Sequence, residues 1–233
     1  MEKETGFTLV EIAIVLVIIG LILAAVLKGQ EMITQARIKN SVIDFTGITA
    51  AYYAYIDRYK SLPGDDSTAT TRWSATNFPG MGNGNGDGII AGVYTATAST
   101  SAESAMFWNH LRAAGLVTGA TSATVTLPLN SQGGVIGVQT GSGSSPPGEA
   151  LTNGGVAGTG FTTLMICSSG LADRIAAAVD RQMDDGVPNT GIIHANGPPS
   201  STSGGASAAA INATANNAYS DTGTVLFTIC KAF

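Results

Sequence analysis

The first sixty residues follow two hydrophobic patterns in succession. Residues 12–27 read IAIVLVIIGLILAAVL, with no charge. Extended back to Phe7 the run is about 21 residues, and Glu11 is its only charge. As a helix it is roughly 30 Å long, the thickness of a bilayer core. It shows no polar face, which a helix lying on a soluble core keeps. After Lys28 the pattern becomes amphipathic. Ile38, Val42, Phe45, Thr49, Tyr52, Ile56 and Tyr59 recur at alternating spacings of four and three, one stripe on a helix, while Lys39, Asp44, Asp57, Arg58 and Lys60 fall mostly off it. Pro63-Gly64 ends the segment, because Pro disfavours helix in the residue before it. The spacing predicts one helix over about 7–59, roughly 80 Å long, in two environments: an apolar medium for 7–27 and a packed head for 28–60. Gly20, Gly29 and Gly47 are its weak points.

Residues 61–233 predict a head of short elements among Gly/Ser/Thr-rich loops. Thr100-Ser101-Ala102-Glu103 has capping-box spacing and opens a helix through Phe107, Trp108, Leu111 and Ala114 that Gly115 closes. A second helix is expected over 171–184, with Leu171, Ile175, Val179 and Met183 on one face. Strands are expected at 124–129, 135–140, 161–167, 191–194 and 224–231. The low-complexity stretches 141–160 and 195–222 read as surface loops. A long helix packed by its second half on a small antiparallel sheet is an α+β architecture.

Composition narrows the function classes. Apolar content of 44% excludes a disordered acidic tail, and the 30 glycines show no three-residue period, which excludes a collagen-like chain. Eleven basic against 16 acidic residues give a net charge of -5, so no nucleic-acid partner is expected. Two cysteines exclude a disulfide-dense scaffold and a Cys-rich metal cluster. The apolar run is a poor cleaved signal peptide: MEKETG has one Lys against two Glu, and no A-x-A site follows. As an ordinary anchor it leaves Glu11 unexplained, since a carboxylate inside lipid costs about 3 kcal/mol or more. Glu11 therefore needs a partner.

The residues around it supply one. Gly6-Phe7-Thr8-Leu9-Val10-Glu11, after a short polar leader and before the apolar run, resembles the N-terminus of type IV prepilins, which type II secretion pseudopilins share. The resemblance implies a leader of residues 1–6, cleavage by a prepilin peptidase between Gly6 and Phe7, and N-methylation of Phe7. It implies that Glu11 pairs with the Phe7 amine of a neighbouring subunit, each charge offsetting the other's cost in an apolar medium. It also implies an inner-membrane stage with the head in the periplasm, then a periplasmic or extracellular filament. The implied partners are homo- or hetero-oligomeric filament subunits, the peptidase, an assembly platform protein and its ATPase. Positive-inside counting points the other way, because Lys28, Arg37 and Lys39 follow the run and only Lys3 precedes it. The family's topology, with the short leader in the cytoplasm, takes precedence here. The resemblance leaves three roles open: structural pilin, pseudopilin of a type II secretion system, and minor pilin acting as an adhesin or in DNA uptake. Many type IVa pilins carry a Pro within the long helix, and this chain has none there.

Within the head, Leu62-Pro63-Gly64-Asp65, Asn83-Gly84-Asn85-Gly86-Asp87-Gly88, Trp108-Asn109-His110-Leu111 and Asp184-Asp185-Gly186 together resemble a recurring head of bacterial pilin-like proteins. Cys167 and Cys230 sit in two predicted strands. Outside the cytoplasm that placement favours a disulfide over two buried thiols, and pilins commonly tie down their C-terminal region in this way. Asn83, Asn85 and Asp87 alternate with Gly as in the first half of a calcium loop, although the twelfth position is Tyr94 rather than Glu. Asp65 and Asp66 are the candidates for the missing charge. Major pseudopilins bind Ca²⁺ in their heads; the alternative is a turn whose side chains cap their own backbone. Asp180, Asp184 and Asp185 form a second acidic cluster beside Arg181. His110 and His194 show no acid–base spacing, and no nucleophile elbow, P-loop or zinc signature is present, so an enzyme is not expected. Asn212-Ala213-Thr214 is a lone glycosylation sequon.

Overall fold

The computed structural model describes residues 8–99, 101–141, 160–197, 218–219 and 222–233. The chain divides into two units, Met1–Arg37 and Ile38–Phe233. The described part of the first is the start of helix α1, Leu9–Tyr59. Every residue from Thr8 to Lys28 is exposed, with Leu9 at 86% and Leu27 at 66%. The length and composition of this segment suit a membrane span, the one such helix among the described residues.

The second unit carries the sheet. After α1 come the short helix α2 (Ala69–Arg72), α3 (Glu103–Ala113), β1 (Ile136–Thr140), β2 (Leu164–Ala172), α4 (Asp173–Met183), β3 (Ile193–Asn196) and β4 (Leu226–Ala232). The four strands form one antiparallel sheet in the order β1-β2-β4-β3. This is the α+β architecture expected from the sequence. Ile136, Val138, Ile166, Ile193 and Ile229 share the main core with Ile38, Phe45, Ile48, Ala51 and Tyr55 of α1, with α3 and with α4. The other sheet face holds Cys167, Cys230 and Met165 under Tyr94 and Phe161.

The structure moves several expected boundaries. The buried face of α1 runs through Ile38, Ser41, Phe45, Ile48, Ala51 and Tyr55, so the predicted stripe is off-centre: Val42, Thr49, Tyr52, Ile56 and Tyr59 are half-buried flanks. Ser41 and Ala51 are buried on that face, a placement that hydropathy does not register for such small side chains. No continuous strand forms over 124–129, only isolated bridges Ala98–Thr124 and Leu129–Val135. Pro128 has no N–H to give, and the Arg112 guanidinium takes the Thr126 carbonyl at 2.5 Å. Leu171 belongs to β2, where it pairs with Phe227, so α4 begins two residues later than its apolar spacing indicates. The β2–β4 register shifts between Ser168 and Leu171. Gly170 lies there at φ 68°, a left-handed conformation that side chains disfavour. The expected capping box is not made at α3. Thr100 lies outside the described residues, and the Glu103 carboxylate turns to a loop instead.

α3 is buried along its whole middle, from Ser104 to Leu111. Three polar residues there, Ser104, Asn109 and His110, hold neighbouring loops. Asn109 Nδ2 donates to the carbonyls of Gly80 (3.0 Å) and Ser122 (2.8 Å), and its Oδ1 accepts from the Ser122 N–H. The WNHL segment thus pins loops in place, a structural role.

Candidate functional site: the N-terminal assembly segment and the head it carries

Glu11 occupies the third position of α1, and its partner in the structure is Thr8. Glu11 Oε2 accepts from the Thr8 N–H and hydroxyl, both at 2.8 Å, and Thr8 Oγ1 accepts from the Glu11 N–H at 3.3 Å. This is a capping box, with Thr8 as N-cap. It satisfies helix-end donors that lipid cannot, and it places a carboxylate at the positive end of the helix dipole. The T-x-x-E spacing is visible in the sequence and was the signal available for it. Gly6 and Phe7 lie outside the described residues.

Cys167 and Cys230 are joined by a disulfide and are directly opposite each other in β2 and β4. His194 on β3 sits next in the same row and stacks on Phe161 at 4.2 Å. Both cysteines are fully buried.

The acidic candidates separate into two groups. Asp65 accepts from the N–H groups of Gly86 (2.5 Å) and Gly88 (2.7 Å). Glu103 accepts from those of Asn85 (3.0 Å) and Ala91 (2.9 Å). Asp87 caps its own turn, taking the Ile89 N–H and the Asn85 side-chain amide, both at 2.8 Å. Oxygens of Asp65, Asp87 and Glu103 all lie within 4.8 Å of one another. The oxygen chemistry and the triple negative charge fit a hard cation such as Ca²⁺ in kind. Backbone donors nevertheless hold each of these carboxylates, which folds the loop by itself. Spacing does not reveal Glu103 as a member, because its position reads as a cap. Asn83 turns away, accepting from Thr70 N–H at 2.8 Å. Gly84 passes so close to the Asp65 backbone that a Cβ has no room there.

Asp66 belongs elsewhere. It is fully buried, accepts from Tyr55 OH at 2.7 Å and from Thr68 N–H and hydroxyl at 2.9 Å, and forms an ion pair with Arg72. The ring of Tyr55 stacks on His110. Burial pushes the Tyr55 hydroxyl far above its ordinary range, so it acts as a neutral donor. This network ties the end of α1 to the turn after it. Removing one partner of such a buried charged pair costs about 3–5 kcal/mol.

His110 is held as the neutral Nε2–H tautomer: Nδ1 accepts from Gly64 N–H at 2.9 Å, and Nε2 donates to the Gly82 carbonyl at 2.9 Å. Burial pushes its pKa from 6.5 down to about 4; the bond to Gly82 opposes this and the Arg72 charge adds to it. The unfolded chain therefore binds the proton first, and His110's contribution to stability is full above about pH 6.5 and lost on acidification toward pH 4. Asp180 acts in the opposite sense. Burial raises it to about 6, opposed by bonds from Tyr219 (2.6 Å) and Gly186 N–H and aided by Asp185 and Asp184. Its contribution is present below about pH 3.8 and lost as pH rises to about 6. The two offset each other between pH 4 and 6. We expect Asp180→Asn to unmask His110: its melting temperature, followed by circular dichroism, falls more steeply than wild type from pH 6 to pH 4.

Asp184 accepts from the N–H groups of Ile192 (2.5 Å) and Ile193 (2.7 Å), and Asp185 from Val187 N–H (2.8 Å) and the Thr190 hydroxyl (2.5 Å). These acids fasten the α4–β3 turn. Asp173 at the start of α4 accepts from the backbone of Thr222 (2.8 Å) and Gly223 (2.5 Å), securing the approach to β4. The role of Asp173 is not legible from spacing, since its partners lie some fifty residues away. The sequon at Asn212 and most of the two predicted loops lie outside the described residues.

Residues 1–27 match the family described as the prokaryotic N-terminal methylation motif. The chain thus carries the prepilin-type signal motif of type IV pilins and pseudopilins. That motif points to a structural subunit, to processing by a prepilin peptidase and, with the apolar helix, to membrane anchoring. Neither the curated proteins nor the solved structures yield a match to this chain.

Proposed function

We propose that this protein is a structural subunit of a bacterial type IV pilus-like filament. The observation that carries the reading is the methylation motif running directly into a helix exposed on every side, with one carboxylate near its start. So much apolar surface needs lipid first and other copies of the same helix afterwards. In this reading the leader is removed between Gly6 and Phe7, and the Phe7 amine is methylated. Thr8 holds the Glu11 carboxylate while the subunit waits in the membrane. A neighbour's Phe7 amine then competes for it, exchanging a neutral cap for an ion pair that sets register. Growth is head-to-tail, a heterologous and open assembly. A pseudopilin of a type II secretion system shares every one of these steps.

The test is the intact mass and N-terminal peptide of the protein from its own host. We expect a start at Phe7 carrying one methyl group. A start at Met1, or a cut after Leu27, would overturn the reading.

A further inference from the structure

We propose that Asp44 of one subunit receives Lys39 of the next, an ion pair between heads that repeats along the filament. The inference deepens the filament reading above and rests on it. Its starting point is a cleft beside α1, where Asn40, Ile43 and Asp44 face Leu129 and Ser131. Ile43 and Leu129 are 53% and 62% exposed, so two large apolar side chains stand uncovered around a half-buried carboxylate. Burial raises the pKa of Asp44, and no cation among the described residues offsets that. Among the described residues it is the one carboxylate with neither a hydrogen bond nor an ion pair.

Lys39 is its counterpart. Among the described residues it is the one cationic side chain with no hydrogen bond, ion pair, ring contact or electrostatic interaction, and it is exposed. The two cannot meet within one chain. Five positions apart on a helix, they point about 140° away from each other. A partner is therefore needed, and complementary groups on opposite sides of one rod join copies heterologously, which propagates instead of closing.

Pairing Asp44 of one subunit with Lys39 of the next displaces the two copies by five residues, about 7.5 Å along a helix.

The experiment uses the full chain in its own host. Lys39→Cys and Asp44→Cys are combined in one chain, and sheared filaments are treated with a short bismaleimide; Cys167 and Cys230 are already bonded to each other. We expect a ladder of dimers, trimers and higher multimers on denaturing gels, absent from either single variant. Because a cysteine variant could fail to fold, a charge exchange gives a second readout. Lys39→Asp and Asp44→Lys should each lower filament yield about tenfold or more, and the double exchange should restore it, as expected for a coupled pair. Filaments that form without a ladder, with yields indifferent to both charges, overturn the pairing alone. A wild-type chain that builds no filament overturns the filament reading, and the pairing with it.

Discussion

Glu11→Ala should leave cleavage and methylation at Phe7 intact and lower filament yield by about a hundredfold or more. The change removes the only charge of the apolar run. In an assembled core it would leave the neighbour's amine buried without a counter-ion. Breaking a buried pair by removing one partner costs about 3–5 kcal/mol, and 1.4 kcal/mol is tenfold in an equilibrium constant. The same change also deletes the cap on Thr8, worth about 1 kcal/mol. Thr8→Ala separates the two roles. It loses the cap and keeps the carboxylate, so its defect should be the smaller by a decade or more. The measurement is the sheared-filament fraction by immunoblot, beside the N-terminal mass of the cell-associated pool. Equal defects in the two variants would mean that Glu11 serves its own helix end and not its neighbour.

Cys167→Ser/Cys230→Ser should cost the head about 4 kcal/mol, the chain-entropy value for a loop of this size. The bond closes 63 residues of sequence, including all of α4 and β3. It also crosses between β2 and β4, the central pair of the sheet. Its loss leaves two hydroxyls in a fully buried layer under Tyr94 and Phe161, where each adds a desolvation cost. Unfolding of the detergent-solubilised chain in guanidinium, with and without the substitutions, measures the difference. An unchanged midpoint would mean that the ladder alone holds the C-terminal strand. Within the fold the bond acts beside the β2–β4 and β3–β4 ladders and beside the hydrogen bonds by which Asp173 holds Thr222 and Gly223.

The apolar N-terminal segment was readable from the residues alone, since an apolar run whose one charge is an early glutamate has few physical explanations. The end of the long helix was readable too, because Pro63 leaves little choice. The head was less legible. Expectation and structure agree on four of the strands in kind, and they part at 124–129, where Pro128 and the reach of Arg112 break a run that alternates correctly. They part again at Glu103, whose capping-box spacing is genuine but whose carboxylate finds better donors in the 85–91 loop. Asp66 was grouped with Asp65 on adjacency, yet the two side chains serve different networks, one with Arg72 and Tyr55 and one with the glycine loop.

What the sequence by itself determined is what depends on neighbours along the chain: the apolar span, its methylation motif, the T-x-x-E cap of Glu11, the helix ends at Pro and Gly. These rest on local geometry and on the solvent a segment tolerates, and both are written in spacing. Only the tertiary structure decided which side of α1 faces the core, which carboxylates share a loop, and that Asp44 and Lys39 find no partner among the described residues. Those outcomes depend on what is brought close across tens of residues, and they bury small side chains such as Ser41 and Ala51 on the core face of α1, which no hydropathy pattern records.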